Sequence, residues 1–329
     1  MKSVVDYFRI LGKVILVGIP LIGIWLYSTF GKMYFIDGEA AYYLWMADQI
    51  HTSHEDVQVL VLGDSAMNSA IDPSQLPVGA LSLANGGGCP YEAYYILKEY
   101  LEHNAAPCVV YIGYNFQHME GTGALWERTF YNHLIDYQDA AQLLDTMETM
   151  NFSWAWDGHD SYQRELLAYY VNYPGVYLPA MINAGIKGRY QTNKDAKEFI
   201  EEHQGRYIGV SDMVNQKSYS EVECKEYRVA PICDTYIRRL MDMCQSNGIQ
   251  VRWVTVPMCP EVETPDSFLE AEHNYMEQLA CEYECATYFP EVEDMEHGMF
   301  FDDFHMNNAG CEYYMNCLME AYPEDFIRE

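Results

Sequence analysis

The stretch "VQVLVLGDS", residues 57–65, decides how the rest of the chain is read. It is a short apolar run rich in valine that stops at a glycine and two polar residues. Length and residue type both mark a buried strand. "GALSLANGGG" (79–88) and "PCVVYIGYN" (107–115) repeat the pattern, ending in glycines or in Gly-x-Asn. Between them, "YEAYYILKEYLEH" (91–103) spaces its apolar residues as a helix does. The same rhythm returns later. "TYIRRLMDMCQSNG" (235–248) reads as a helix closed by Asn-Gly, "IQVRWVTVPM" (249–258) as a strand, "FLEAEHNYMEQLACEY" (268–283) as a helix and "ATYFPEV" (286–292) as a short strand. Alternating strands and helices predict an α/β fold with a parallel sheet covered on both faces. With 329 residues the chain is expected to form one large domain, or one domain with an insertion.

The insertion is placed at about 120–234, where the rhythm breaks. It holds helical stretches such as "LIDYQDAAQLLDTMETM" and the Tyr- and Asn-rich passage "LAYYVNYPGVYLPAMINAGIKGRY". Eight of the nineteen lysines and arginines lie between Lys187 and Arg228, on a chain of formal net charge −30. Two readings stand: a solvated insertion packed on the sheet, or a lid whose aromatics and cations face a polar or anionic substrate. The acidic balance argues against nucleic acid as a partner, since a phosphate backbone calls for a basic surface.

The N-terminus differs from the rest. "VILVGIPLIGIWLYSTF", residues 14–30, is uncharged and at the lower length limit for a membrane-spanning helix. Lys2, Arg9 and Lys13 precede it, which by the positive-inside rule puts residues 1–13 in the cytoplasm and the remainder outside. A cleaved signal peptide is the competing reading. No small-x-small cleavage pattern follows, and Trp25, Tyr27 and Phe30 suit an interfacial anchor. Residues 31–56 are expected to form a linker helix leading into the domain at 57–329. Outside a membrane the ten cysteines could pair, with Cys281–Cys285 and Cys311–Cys317 as local candidates, or stay free and buried. No CxxC occurs, so a zinc ribbon or thioredoxin-type site is disfavoured, and no metal or other cofactor is expected.

Near the other end stands "FFDDFHMNNAG", residues 300–310. Asp303 or Asn307 could cap the terminal helix that follows. Alternatively, Asp302 orients the imidazole of His305 for work on a nucleophile from elsewhere. In a parallel sheet ligands gather at the carboxyl ends of the strands. There the first three strands deliver Ser65, the glycines 86–88 and Asn115. A hydroxyl, a run of backbone amides, a carboxamide and an Asp/His pair are the parts that acyl transfer requires. His118 reads as a polar loop histidine, and Cys89 as a small buried thiol.

These four blocks, in order, resemble those of the SGNH/GDSL hydrolases: "GDS" after the first strand, a glycine after the second, "GYN" after the third and "DDFH" near the C-terminus. The resemblance covers about 57–118 and 249–320. It implies a flavodoxin-like three-layer α/β/α fold and a metal-free serine esterase or acyltransferase. Ser65 would be the nucleophile, His305 the base and Asp302 its orienting partner, with Asp303 as alternate. The oxyanion hole would comprise the Ser65 N–H, Gly87 (Gly86 as alternate) and Asn115. The chain departs from the family after the serine, "GDSAMNSAIDP", and has Ser82 where the second block commonly begins with asparagine. Those same passages resemble a membrane-tethered branch whose members accompany membrane-bound O-acyltransferases, as in alginate acetylation and, more distantly, teichoic-acid D-alanylation. That branch implies transfer of a small acyl group from a donor to a cell-envelope polysaccharide or polymer, with a membrane-bound O-acyltransferase as possible partner. A carbohydrate esterase using water, or a non-catalytic scaffold for the membrane enzyme, are the alternatives.

Overall fold

The computed structural model describes residues 2–30, 40–54, 56–152, 162–217, 219–290, 292 and 294–327. Five strands form one sheet: β1 (Val59–Gly63), β2 (Ala80–Ser82), β3 (Val109–Gly113), β4 (Gln250–Val254) and β5 (Ala286–Phe289). Their order is β2-β1-β3-β4-β5 and every pairing is parallel. This is the doubly wound order 2-1-3-4-5 of flavodoxin-like sheets. Side chains alternate along a strand, so β1 feeds two cores at once. Leu60 and Leu62 join one core, with the helices Ala40–His51, Pro90–His103 and Pro231–Ser246. Val59 and Val61 join the other, with Ser65–Ala70 and Asn308–Ala321. All four β1 side chains are fully buried, each contributing about 1.5–3 kcal/mol of apolar burial. The result is helix, sheet, helix.

The helix Ala40–His51 does more than lead into the domain. Tyr42, Tyr43, Trp45 and Met46 are buried, and the Tyr42 hydroxyl donates to the Ala84 carbonyl at 2.8 Å. Residues 31–39 of the expected linker lie outside the described residues. The insertion contributes helices Tyr137–Thr149, Tyr162–Tyr170, Pro174–Ile186 and Tyr190–Glu202. Several of its cations meet acids: Lys194 with Glu198, Lys197 with Glu201, Lys225 with Glu223, Arg228 with Glu226, and buried Arg206 with Asp72. Such pairing takes charge away from the lid reading. The segment after Glu202 instead stitches the insertion to the helix that follows β1. Buried Asn68 donates to Gly205 O at 2.9 Å and accepts from Tyr207 N and Ile208 N at 3.0 Å.

The N-terminal helix is longer than the sequence expectation, Lys2–Phe30, and its span Val4–Phe30 is long and apolar enough to cross a membrane. It leans on the insertion through Trp25, whose Nε1 donates to Val171 O at 2.9 Å. All ten cysteines are free, so neither local pair forms. Cys311 is buried beside the Met315 sulfur, and Cys285 is buried while Cys281 is exposed.

Candidate functional site

The carboxyl ends of β1 and β3 lie side by side, Gly63 in register with Gly113. Gly63 has φ +135°, and a Cβ there would stand 2.1 Å from Gly113 O, so no other residue fits. The chain then turns sharply into Ser65–Ala70. Asp64 caps this helix, its Oδ1 accepting from Ala66 N at 2.9 Å and Met67 N at 3.3 Å. Ser65 thereby stands at the rim, half-buried, at the start of the helix.

The turn carrying Asp302 and His305 docks against that helix, with Met306 N donating to Ser69 Oγ at 3.1 Å. Asp302 Oδ1 accepts from the backbone N–H of Phe304 and of His305, both at 2.9 Å. The same carboxylate holds His305 Nδ1, at 2.9 Å from Oδ1 and 2.8 Å from Oδ2. A carboxylate only accepts, so Nδ1 carries the proton and Nε2 offers a lone pair. Nε2 stands 2.9 Å from Ser65 Oγ. Burial raises the Asp302 pKa, but the His305 hydrogen bond and charge and the two N–H groups outweigh it, and the net shift is downward. Asp303 faces elsewhere: it accepts from Asn215 Nδ2 at 3.2 Å and Ser220 Oγ at 2.9 Å. Asn307 caps the terminal helix through Gly310 N. The two readings of this stretch are therefore compatible, because different residues perform them.

Asn115 caps the short turn Phe116–Met119, its Oδ1 accepting from Gln117 N at 2.9 Å. That contact fixes the amide orientation, and among the described residues nothing takes Nδ2. Gly87 has φ +66°, while the Gly86 and Gly87 N–H groups have no partner among the described residues. Ser65, Gly86–Gly87 and Asn115 thus come from three adjacent strand ends.

Two residues beside the site escape a reading by motif. His118 is no solvated loop residue: its Nδ1 bonds Asp64 Oδ2 at 2.5 Å, and the same oxygen accepts from Asn115 N at 2.8 Å. Burial disfavours the His118 cation, but the Asp64 charge outweighs it and raises the pKa. For Asp64, burial pushes up and His118 pulls down, with a net lowering. A signal existed, since a carboxylate buried at a strand end demands a cation, and His118 lies one helical turn beyond Asn115. Arg128 is the second. A Cβ at Gly87 would come within 2.8 Å of its guanidinium, and one at Gly86 within 3.1 Å. No spacing rule links "LWERTF" to the glycines, because the insertion's own path brings Arg128 there.

Two clefts flank the site. One of about 840 Å³ runs from Phe116 and Asp303 past Thr122, Lys217 and Arg228. The other, about 490 Å³, lies on the glycine side and is lined by Tyr43, Arg128, Tyr131, Tyr169 and Pro179 among others. Compared with family models and with curated proteins, the sequence matches none.

Proposed function

We propose that this chain is a membrane-anchored SGNH-type serine O-acyltransferase or esterase acting on a cell-envelope glycan or polymer, with its domain on the outer side. The observation that carries the reading is the unbroken relay from Asp302 through His305 to Ser65 Oγ. In this chemistry Ser65 Oγ attacks an acyl ester while His305 Nε2 takes its proton. The tetrahedral oxyanion is met by the Ser65 N–H, an N–H of Gly86–Gly87 and Asn115 Nδ2. Collapse expels the donor alcohol, which leaves with the proton held by His305, and an acyl-serine remains. A sugar hydroxyl then attacks, His305 takes its proton, and Ser65 Oγ leaves and recovers it. The ester bond has moved from donor to acceptor.

Transfer is favoured over hydrolysis by the position of the aromatic cleft. Its Pro179 lies on the helix Pro174–Ile186, which contacts the N-terminal apolar helix. A donor delivered at the membrane surface, including one held by a membrane-bound O-acyltransferase, would reach Gly86–Gly87 from that side. The larger, more polar cleft then suits the acceptor. A fluorophosphonate probe tests the serine chemistry: it should label the wild type covalently and fail on Ser65→Ala and His305→Ala. Equal labelling of Ser65→Ala would discard the reading.

A further inference from the structure

We propose that Cys259, Glu261 and His297 form a binding site for one divalent cation of the zinc class, behind the turn that carries Asp302 and His305. Cys259 and Glu261 lie in the loop after β4, and His297 opens the short 3₁₀ turn His297–Met299. Their donor atoms lie within 4.8 Å of one another. Glu261 Oε2 is 2.8 Å from Cys259 Sγ, Glu261 Oε1 is 2.7 Å from His297 Nδ1, and Sγ and Nδ1 are 3.8 Å apart. In a tetrahedral zinc site, bond lengths of about 2.3 Å to sulfur and 2.0 Å to nitrogen put those two ligands roughly 3.6 Å apart. The carboxylate, which now offers Oε2 to Sγ and Oε1 to Nδ1, needs to retreat by about 0.6–0.7 Å to share the same ion.

The histidine is held as a ligand would be. Its Nε2 lies 2.8 Å from the Asn215 carbonyl and donates to it, so in the neutral ring the Nδ1 lone pair faces Glu261 and Cys259. Two lone pairs cannot sit 2.7 Å apart unless a proton or a cation lies between them. Thiolate, imidazole and carboxylate together suit a borderline-soft ion, whereas calcium or magnesium would call for oxygens alone. Cys259 and Glu261, once ionised, balance a dication, the thiol proton leaving to solvent. Cys259 is buried, but the His297 and Glu261 side chains are 35% and 22% exposed, giving the ion a way in and leaving a side open for water. Asn215 also donates to Asp303, and Cys259 N donates to Asp303 O at 3.0 Å. A bound ion would therefore brace the turn next to Asp302.

The test uses the full chain in detergent, stripped with a chelator and titrated with Co²⁺. One Co²⁺ per chain is expected, with the near-ultraviolet thiolate charge-transfer band and strong visible bands of tetrahedral cobalt, displaced by stoichiometric Zn²⁺. Cys259→Ser should abolish the charge-transfer band. His297→Gln, at a part-exposed site, should weaken Co²⁺ binding by more than the roughly tenfold typical of losing an outer-shell partner, with unchanged circular dichroism. Absence of the band in the wild type, its survival in Cys259→Ser, or unchanged affinity in His297→Gln would each overturn the site and leave only a proton-shared cluster. None of these readouts depends on serine chemistry, so the outcome is separate from that of the proposed activity.

Discussion

Two histidine–aspartate pairs stand on either side of Ser65, and they are built to opposite specifications. Asp302 and His305 are three residues apart on a turn at the rim, with side chains 43% and 21% exposed. Asp64 and His118 are 54 residues apart, and the Asp64 side chain is wholly buried. The rim pair leaves one imidazole nitrogen facing a hydroxyl. In the buried pair Asp64 is fully engaged, with Ala66, Met67, Asn115 and His118 all bonded to it. Water can compensate a proton gained or lost at the rim, whereas in the interior the same change strands a charge. In the proposed chemistry proton traffic would therefore fall to the exposed pair, while the buried pair places Ser65 and Asn115.

The largest effects should fall on turnover of an acyl ester. If the proposed activity holds, Ser65→Ala and His305→Ala are expected to lower kcat by about 10⁶, and Asp302→Asn by about 10⁴, the losses known for serine triads. His118→Gln should cost far less than Asp302→Asn. If it cost as much, the division of labour between the pairs would fail. Stability should rank the pairs the other way. Asp64→Ala removes the charge that keeps His118 protonated and leaves the N–H groups of Ala66, Met67 and Asn115 without their acceptor, and should lose about 3–5 kcal/mol in chemical denaturation. Asp302→Ala, at a half-open site, should lose less than about 1 kcal/mol.

The contrast also explains what could be read from the sequence. The sheet was legible because valine-rich runs ending in glycine are strands for local reasons, and Gly63 and Gly113 each close one. The rim pair was legible because Asp302 and His305 share a turn, and their spacing alone lets the carboxylate reach Nδ1. Whether Asp302 or Asp303 does so was settled by Asn215 and Ser220 of the insertion, which claim Asp303. The buried pair joins residues that only the fold brings together, so a motif could not announce it. Arg128 is the extreme case, since its neighbours Gly86 and Gly87 lie on another element. The role of Ala40–His51 was hidden for a related reason: tyrosines and tryptophan suit a membrane surface as well as a core.

A smaller effect separates the cap that Asn115 makes from the oxyanion role proposed for it. Asn115→Ala removes the cap on Gln117 N, costing about 1 kcal/mol, and, if the proposed activity holds, one oxyanion donor, costing about 10²–10³ in kcat. KM should hardly move, because the donor acts on charge that develops only in the transition state. A change confined to KM would instead assign Asn115 to substrate binding.

The pH dependence of stability is the finest probe of the buried pair. Asp64 is held below its ordinary value of 3.8, so its contribution is complete above that value and is lost as pH falls through its folded pKa. His118 is held above 6.5, so its contribution is complete below 6.5 and is lost as pH rises through its folded pKa. The pair's own contribution should therefore be level between those limits and fall away on both sides. Glu92 adds a slope across most of that plateau. Burial raises its pKa to about 7 against an ordinary 4.5, and the folded state loses stability as pH climbs through that interval. His118→Gln separates the two, because the His118 loss disappears in that variant while the Glu92 loss persists and reaches further, the His118 charge no longer drawing the Glu92 pKa down. The difference curve between wild type and His118→Gln should stay flat from about pH 4.5 to 6.5 and narrow above it. A difference that is the same at pH 6 and pH 9 would mean that His118 holds Asp64 as a neutral donor, and the buried pair would then be a hydrogen bond rather than an ion pair.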